Sequence, residues 1–156
     1  AGISVQIYGD GWEFASFEHH VVNPAVEYEE SLRLLTQAKI ALNVSPQFFS
    51  GSHERVFDAT LNGAACLTTR SSYLVEHFAP DQEMAYYDVV ETNSVVEQVR
   101  SLLEDDSGRR DMAQAAKITA ERKHTWAVRA EQVLDAHHTH IQIRDTLSKL
   151  EAASKS

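Results

Sequence analysis

Apolar and polar positions repeat along this chain with two periods, one near two residues and one near three and a half. Ile3-Ser4-Val5-Gln6-Ile7-Tyr8 alternates and ends at Gly9-Asp10-Gly11, which predicts a strand running into a turn. Val21-Val22 predicts a second, short strand. Asn23-Pro24 offers an N-cap and a first helical residue. Tyr28, Leu32, Leu35 and Ala38 then recur at helical spacing, so an amphipathic helix is expected over about 26–38.

The segment from 39 to 78 is the most informative. An apolar run, Lys39-Ile40-Ala41-Leu42-Asn43-Val44, leads into the loop Ser45 to Ser52 and then into a helical stretch, 53–62. Gly63 stops that helix, and Ala64-Ala65-Cys66-Leu67-Thr68-Thr69 reads as a further strand. Strand, loop, helix, glycine stop and strand make a βαβ unit. Ser71-Ser72 caps a short helix from Tyr73 to Phe78 that ends before Pro80, and 83–87 is the last strand expected.

Helices follow. One is capped by Asn93 or Ser94, carries Val95, Val96, Val99, Leu102 and Leu103, and is broken by Ser107-Gly108. Another spans Arg109 to Lys123. The last, from Trp126 to about Ala152, bears an apolar stripe through Ala130, Val133, Leu134, His137, Ile141, Leu147 and Leu150, with an interruption near Arg144. Strands alternating with helices place the chain in the α/β class with a mainly parallel sheet and right-handed crossovers. Ligands of such sheets sit beyond the carboxyl ends of the strands, where the Ser45–Ser52 loop falls.

At 156 residues with 43% apolar content, one domain with a real core is expected. A formal charge of -9 argues against nucleic acid, whose phosphates call for a basic surface. It leaves room for a small phosphorylated ligand, because one helix end and one arginine outweigh a distant acidic surface. A single cysteine, Cys66, excludes an intrachain disulfide and reads as a core thiol. No membrane span or signal segment is apparent, so a reducing cytoplasmic setting is expected. His137, His138 and His140, and the pair His19-His20, lack zinc-like spacing, so no metal site is expected. Asn43-Val44-Ser45 matches a glycosylation sequon by chance, and Trp12 and Trp126 read as packing anchors.

The candidate chemistry lies at the start of the 53–62 helix. Its first turn has free amides and a positive dipole end, Ser52 is the expected N-cap, and Gly51 allows close backbone approach. Amides of His53, Glu54 and Arg55 would stabilise a diphosphate, and Arg55 would add a charge-assisted hydrogen bond. The plain alternative is a capped helix with Glu54 and Asp58 favourably placed near its dipole. Asp58 on the pocket side would accept two hydrogen bonds from a ribose diol; on the outer side it is a solvated charge, or an ion pair with Arg55.

Taken together, Ile40-Ala41-Leu42-Asn43-Val44-Ser45-Pro46, His53-Glu54-Arg55-Val56-Phe57-Asp58-Ala59, Gly63 and Tyr73-Leu74 with Glu76 resemble the C-terminal domain of GT-B glycosyltransferases. The branch resembled is the glycosyl transferases group 1 set with spore-maturation-protein-like members. Ile7-Tyr8-Gly9-Asp10-Gly11-Trp12 is similar to that family's second strand and turn, and the likeness covers roughly 3–135. It implies a Rossmann-like three-layer sandwich over 1–125, with 126–156 as a C-terminal helix packing on it. It also implies a nucleoside-diphosphate sugar as donor substrate, with no metal or separate cofactor. The donor site would comprise Ser50, Gly51, Ser52, His53, Glu54, Arg55 and Asp58.

By the resemblance, Asp58 takes the place of the family's ribose-binding glutamate, and the residues after Val22 would line the base. Ser50 stands where the wider pattern has a glutamate that contacts the donor sugar. The family's first strand–helix unit, and its N-terminal acceptor domain, find no counterpart in the pattern. An absent segment, a second chain or a rearranged register is therefore expected to fill that place in the sheet. The isolated chain is expected to show little transferase activity, and no catalytic acid or base is assigned. The rival reading is a non-catalytic α/β interaction module that has lost donor binding. A receiver-like domain is disfavoured, since no acidic cluster ends the first strand.

Overall fold

Among the described residues every strand pairing is parallel, and the strands fall into two separate sheets. The computed structural model describes residues 3, 5–12, 21–45 and 49–153. β1 (Gln6–Tyr8) pairs with β2 (Val21–Asn23) in the register Gln6 with Val21 and Tyr8 with Asn23. β3 (Ile40–Asn43), β4 (Ala65–Thr69) and β5 (Ala85–Tyr87) form the second sheet in the order β3-β4-β5. The helices are α1 (Tyr28–Gln37), α2 (Glu54–Leu61), α3 (Ser72–His77), α4 (Thr92–Glu104), α5 (Asp106–Lys123) and α6 (Trp126–Ala153). The expected vacant place in the sheet meets a structure in which no pairing joins β1–β2 to β3–β4–β5 among the described residues.

β4 is the central strand of its sheet, and all five of its residues are buried. Strands covered on both faces read as near-continuous apolar runs; this one is apolar through Leu67 and closes on the buried threonines Thr68 and Thr69. Successive residues serve opposite faces. Cys66, with Tyr86 of β5, joins the cluster of Val56 and Ala59 of α2, Leu74 of α3, Phe78, Met84, and Ala116 and Ala120 of α5. Leu67, with Ala85 and Tyr87, joins Leu102 of α4 and Met112 of α5, against which Ile40, Val95 and Val99 pack. Burial pushes the Cys66 thiol up to about 12, so it is an inert core group as expected.

Several boundaries differ from the sequence expectation, each for a local reason. Asn23 is no helix cap, because its side-chain amide donates to Gln6 Oε1 at 3.1 Å and to the Ile7 carbonyl at 3.3 Å, bridging β1 and β2. α1 accordingly starts later, after an extended Glu27 with no side-chain cap. The N-cap of α2 is His53 rather than Ser52: His53 stays extended and its Nδ1 accepts from the Arg55 amide at 3.3 Å. Ser71 caps α3 as expected, accepting from the Leu74 amide at 3.1 Å. The last strand starts at Ala85 rather than 83, since the Glu83 carboxylate accepts from the Ala79 amide and the Thr119 hydroxyl.

The break between α4 and α5 falls at Asp105, not at Ser107-Gly108. α4 itself begins at Thr92, with Glu91 rather than Asn93 or Ser94 in the N-cap position. The Asp105 carboxylate accepts from the Gly108 amide at 2.8 Å and places Ser107-Gly108 inside the first turn of α5. A Cβ on Gly108 would sit 2.2 Å from Asp105 Oδ2. Gly108→Ala is therefore expected to lower stability by about 1 kcal/mol through loss of the cap, despite alanine's better helix propensity. Urea unfolding checks this, and an unchanged midpoint would contradict it.

Trp126 is no packing anchor: it is 89% exposed at the start of α6. No helix among the described residues is long and apolar enough to cross a membrane.

Candidate functional site

The carboxyl ends of β3 and β4 hold a polar cluster built from short side chains. Asn43 closes β3 and is buried. Its Nδ2 donates to Thr68 Oγ1 at 2.9 Å and to Ser45 Oγ at 3.0 Å. The Ser45 amide donates to Thr69 Oγ1 at 3.2 Å, and the Tyr87 hydroxyl donates to the Asn43 carbonyl at 3.1 Å. Further along the same loop the Phe49 carbonyl accepts from the Ser72 amide at 3.0 Å. The loop from β3 to α2 is thus fastened at two points, at Ser45 to Thr69 of β4 and at Phe49 to Ser72 of α3.

That loop delivers the predicted residues. Ser50 is exposed, Gly51, Ser52 and His53 are half-buried, and Glu54 and Arg55 are exposed. They stand together at the start of α2. The Ser52 hydroxyl donates to the His53 carbonyl at 3.2 Å. His53 Nδ1 also lies 3.4 Å from a Glu54 carboxylate oxygen. One of the three amides expected to face a ligand, that of Arg55, is engaged by the His53 ring.

Asp58 lies one turn further along α2 and is half-buried. It accepts a hydrogen bond from the Tyr28 hydroxyl of α1 at 3.0 Å, so it bridges two helices. That bond holds the Tyr28 phenol above its usual pKa, because ionisation would place two anions face to face. The Arg55–Asp58 ion pair weighed from the sequence does not form, since Arg55 and Asp58 are not in contact distance of each other as charges.

Sequence reasoning missed Tyr28, Thr68, Thr69, Tyr87 and Arg70 as parts of this end of the fold. The signal for the threonines was present: a run that ends Thr68-Thr69 puts hydroxyls on both faces at a strand's carboxyl end. Arg70 follows directly, with its guanidinium 5.2 Å above the Tyr86 ring, a cation–π contact. Tyr28 had no such signal, because its partner is 30 residues away.

A second cluster joins α3, α5 and α6 at the start of the long helix. Arg129 donates through one nitrogen to the Tyr73 hydroxyl and to His124 Nδ1, the latter at 2.9 Å. A guanidinium only donates, so His124 Nδ1 is an acceptor and the imidazole proton sits on Nε2. The ring stacks on Phe78 and leans on Phe57, each at 5.1 Å. Burial first, then the charge of Arg129 and the neighbouring His77 and Lys123, depresses the His124 pKa to about 4. Among the described residues no group of histidine, cysteine and carboxylate side chains forms a metal site.

The glycosyl transferase-like family model matches residues 1–135. The chain belongs to the glycosyl transferase-like family. Its fold agrees with that assignment. An alpha-glucosyltransferase solved in complex with UDP-glucose and DNA containing an abasic site superposes with a TM-score of 0.64 at 11% identity, covering 84% of this chain. At that identity the likeness is one of fold, the Rossmann-like architecture of GT-B transferases. The chain spans 38% of the glucosyltransferase it matches. No curated protein matches it.

The polar cluster and the start of α2 lie at the carboxyl ends of β3 and β4. Both stand where strands of an open parallel sheet deliver their loops.

Proposed function

We propose that this chain is the donor-nucleotide domain of a glycosyltransferase and binds a nucleoside-diphosphate sugar at the entrance of α2. The observation that carries the reading is the fastening of the β3–α2 loop to the end of β4. A loop tied at Ser45 and again at Phe49 limits how far the first turn of α2 can shift, and a dipole end held in place costs little reorganisation when an anion arrives. In this reading the diphosphate lies against the amides of Glu54 and Arg55, and His53 yields the Arg55 amide to it. Arg55 supplies a charge-assisted hydrogen bond, with Gly51 and Ser52 lining the approach. Asp58 exchanges the Tyr28 hydroxyl for the ribose diol, two neutral donors replacing one. Ser50 stands beside the sugar without the carboxylate that related transferases carry.

Transfer then moves the sugar from the nucleotide to an acceptor hydroxyl while charge builds on the leaving diphosphate. Amide dipoles and Arg55 stabilise that charge where it develops. The acceptor and its activating base belong to a part of the enzyme outside this chain, a further domain or a second chain, and the chain alone turns over little. Its acidic balance leads us to exclude nucleic acid as the acceptor. The single inert thiol fits a cytoplasmic setting.

The test is thermal stability with uridine, guanosine and adenosine diphosphates. A nucleotide at a hundred times its Kd adds about 2.7 kcal/mol if it binds only the folded chain. Asp58→Ala is expected to erase the shift while leaving the melting point without nucleotide nearly unchanged, since only one exposed hydrogen bond is lost. No shift with any nucleotide would favour the second reading, a non-catalytic interaction module. Two observations favour that module: Ser50 in place of a carboxylate, and the engagement of Arg55 N by His53 and of Asp58 by Tyr28.

A further inference from the structure

Among the described residues, the side-chain bonds that tie the long helix α6 to its neighbours lie at its beginning. Arg129 is fastened to Tyr73 and His124, and the Thr125 hydroxyl accepts from the Val128 amide, so the first turn is fixed. From Ala130 to Leu150 the residues are exposed, apart from a half-buried Ile141. The exposed positions include Val133 at 68%, Ile143 at 56%, Leu147 at 55% and Leu150 at 62%.

These residues are not scattered. Val133, Ala136, His140, Ile143, Leu147 and Leu150 follow one another at spacings of three, four, three, four and three residues. That is the seam of a left-handed coiled coil, two and a half heptads long, and the same alternation runs back through Arg129 to Trp126. It explains why a stripe counted at the straight-helix period breaks near Arg144, whereas the 3.5-residue seam passes alongside it. The seam runs about 26 Å along the helix at 1.5 Å per residue. The family match ends at residue 135, so most of the seam lies beyond the part of the chain that the glycosyl transferase-like fold accounts for.

We propose that α6 is a dimerisation helix that pairs with α6 of a second copy of this chain, antiparallel, through the seam from Val133 to Leu150. Charge selects the partner. Residues 126–153 carry three basic and four acidic side chains, against a net -9 for the chain, so this helix is close to neutral and its charge does little to oppose pairing with a like copy. Near-neutrality likewise disfavours a polyanion or an anionic membrane. Shape selects the direction. Antiparallel pairing about residues 141 and 142 sets Val133 against Leu150 of the second copy, Ala136 against its Leu147, and His140 against its Ile143. Each small or polar residue then meets a large aliphatic one. Parallel pairing would instead set alanine on alanine and two imidazoles together, leaving a gap and a polar layer in the same seam.

Sedimentation velocity of the whole chain over two decades of concentration tests the proposal. A dimer is expected, and Ile143→Glu with Leu147→Glu is expected to weaken it by at least about 100-fold, the scale of two buried charges. Both side chains are exposed within one copy, so circular dichroism and the melting point of the monomeric variant should match those of monomeric wild type at high dilution. His140→Leu should tighten the dimer, because it removes the polar layer. Ala136→Cys should form no disulfide across the dimer on oxidation. A chain that stays monomeric at every concentration, a dimer that survives the double glutamate variant, or rapid cross-linking through Cys at 136 would each overturn the assignment.

Discussion

Asn43→Leu is expected to lower the free energy of unfolding by about 3 kcal/mol and to remove the nucleotide-dependent rise in stability as well. Asn43 is 5% exposed and donates to two hydroxyls, one of which, Thr68 Oγ1, is itself buried. Leucine fills a similar volume but leaves Thr68 without its incoming hydrogen bond and releases Ser45, the first residue of the loop that leads to α2. The cost is that of stranded polar groups rather than of lost volume. Thr68→Val in the same background is therefore expected to restore part of the loss, because an apolar pair of like shape leaves nothing unsatisfied. A double-mutant cycle in urea reads the coupling. Strictly additive losses would show that the two residues act separately, and the loop would then need another explanation for its position.

Acidification gives the second large effect. His124 is neutral in the fold, with its pKa depressed to about 4, and titrates near its ordinary value of about 6.5 when the chain unfolds. The unfolded chain thus binds the extra proton first. This contribution to stability is complete above about pH 6.5 and drains away as pH falls toward 4, with no further change below that. The full shift corresponds to about 3 kcal/mol, and screening of the neighbouring charges reduces it to roughly 2 kcal/mol. Geometry supports the sign. A proton on Nδ1 would face the Arg129 guanidinium, with Lys123 of α5 and His77 of α3 also nearby, and would cost the acceptor that Arg129 uses. Urea unfolding at a series of pH values measures the slope, and His124→Phe should flatten it over this window. A slope that persists in the variant would assign the acid sensitivity to other groups.

Both effects come from residues that sequence reading passed over or took for something else. Asn43 drew notice as part of a strand, of the motif behind the family resemblance and of a chance sequon, not for the bonds of its side chain, and His124 drew none. Their roles depend on partners 25 and 5 residues away, brought close by parallel pairing of β3 with β4 and by the turn from α5 into α6. By contrast, the order of elements in the βαβ segment from Ile40 to Thr69 was legible, although the helix cap moved from Ser52 to His53. Its strands begin as apolar runs, its helix stops at Gly63 with φ of +82°, and each of these signals is local. Where local signals competed, the tertiary partner decided. Asn23 is an attractive helix cap in isolation, yet a neighbouring strand offers its amide two acceptors. Asp105 outcompetes Ser107-Gly108 as the break because a carboxylate that caps the helix is worth more than the cost of a glycine in its first turn.

The α/β class, the parallel strands, the βαβ unit and the likeness to glycosyltransferases were all set by short-range pattern, since hydrophobic period, turn residues and motif spacing act over a few residues. The division of the strands into two sheets, the capture of Asp58 by Tyr28, the fastening of the α2 loop and the exposure of α6 were decided by which segments meet. A sequence specifies those meetings only through the summed packing of the whole chain, and no window of it carries them.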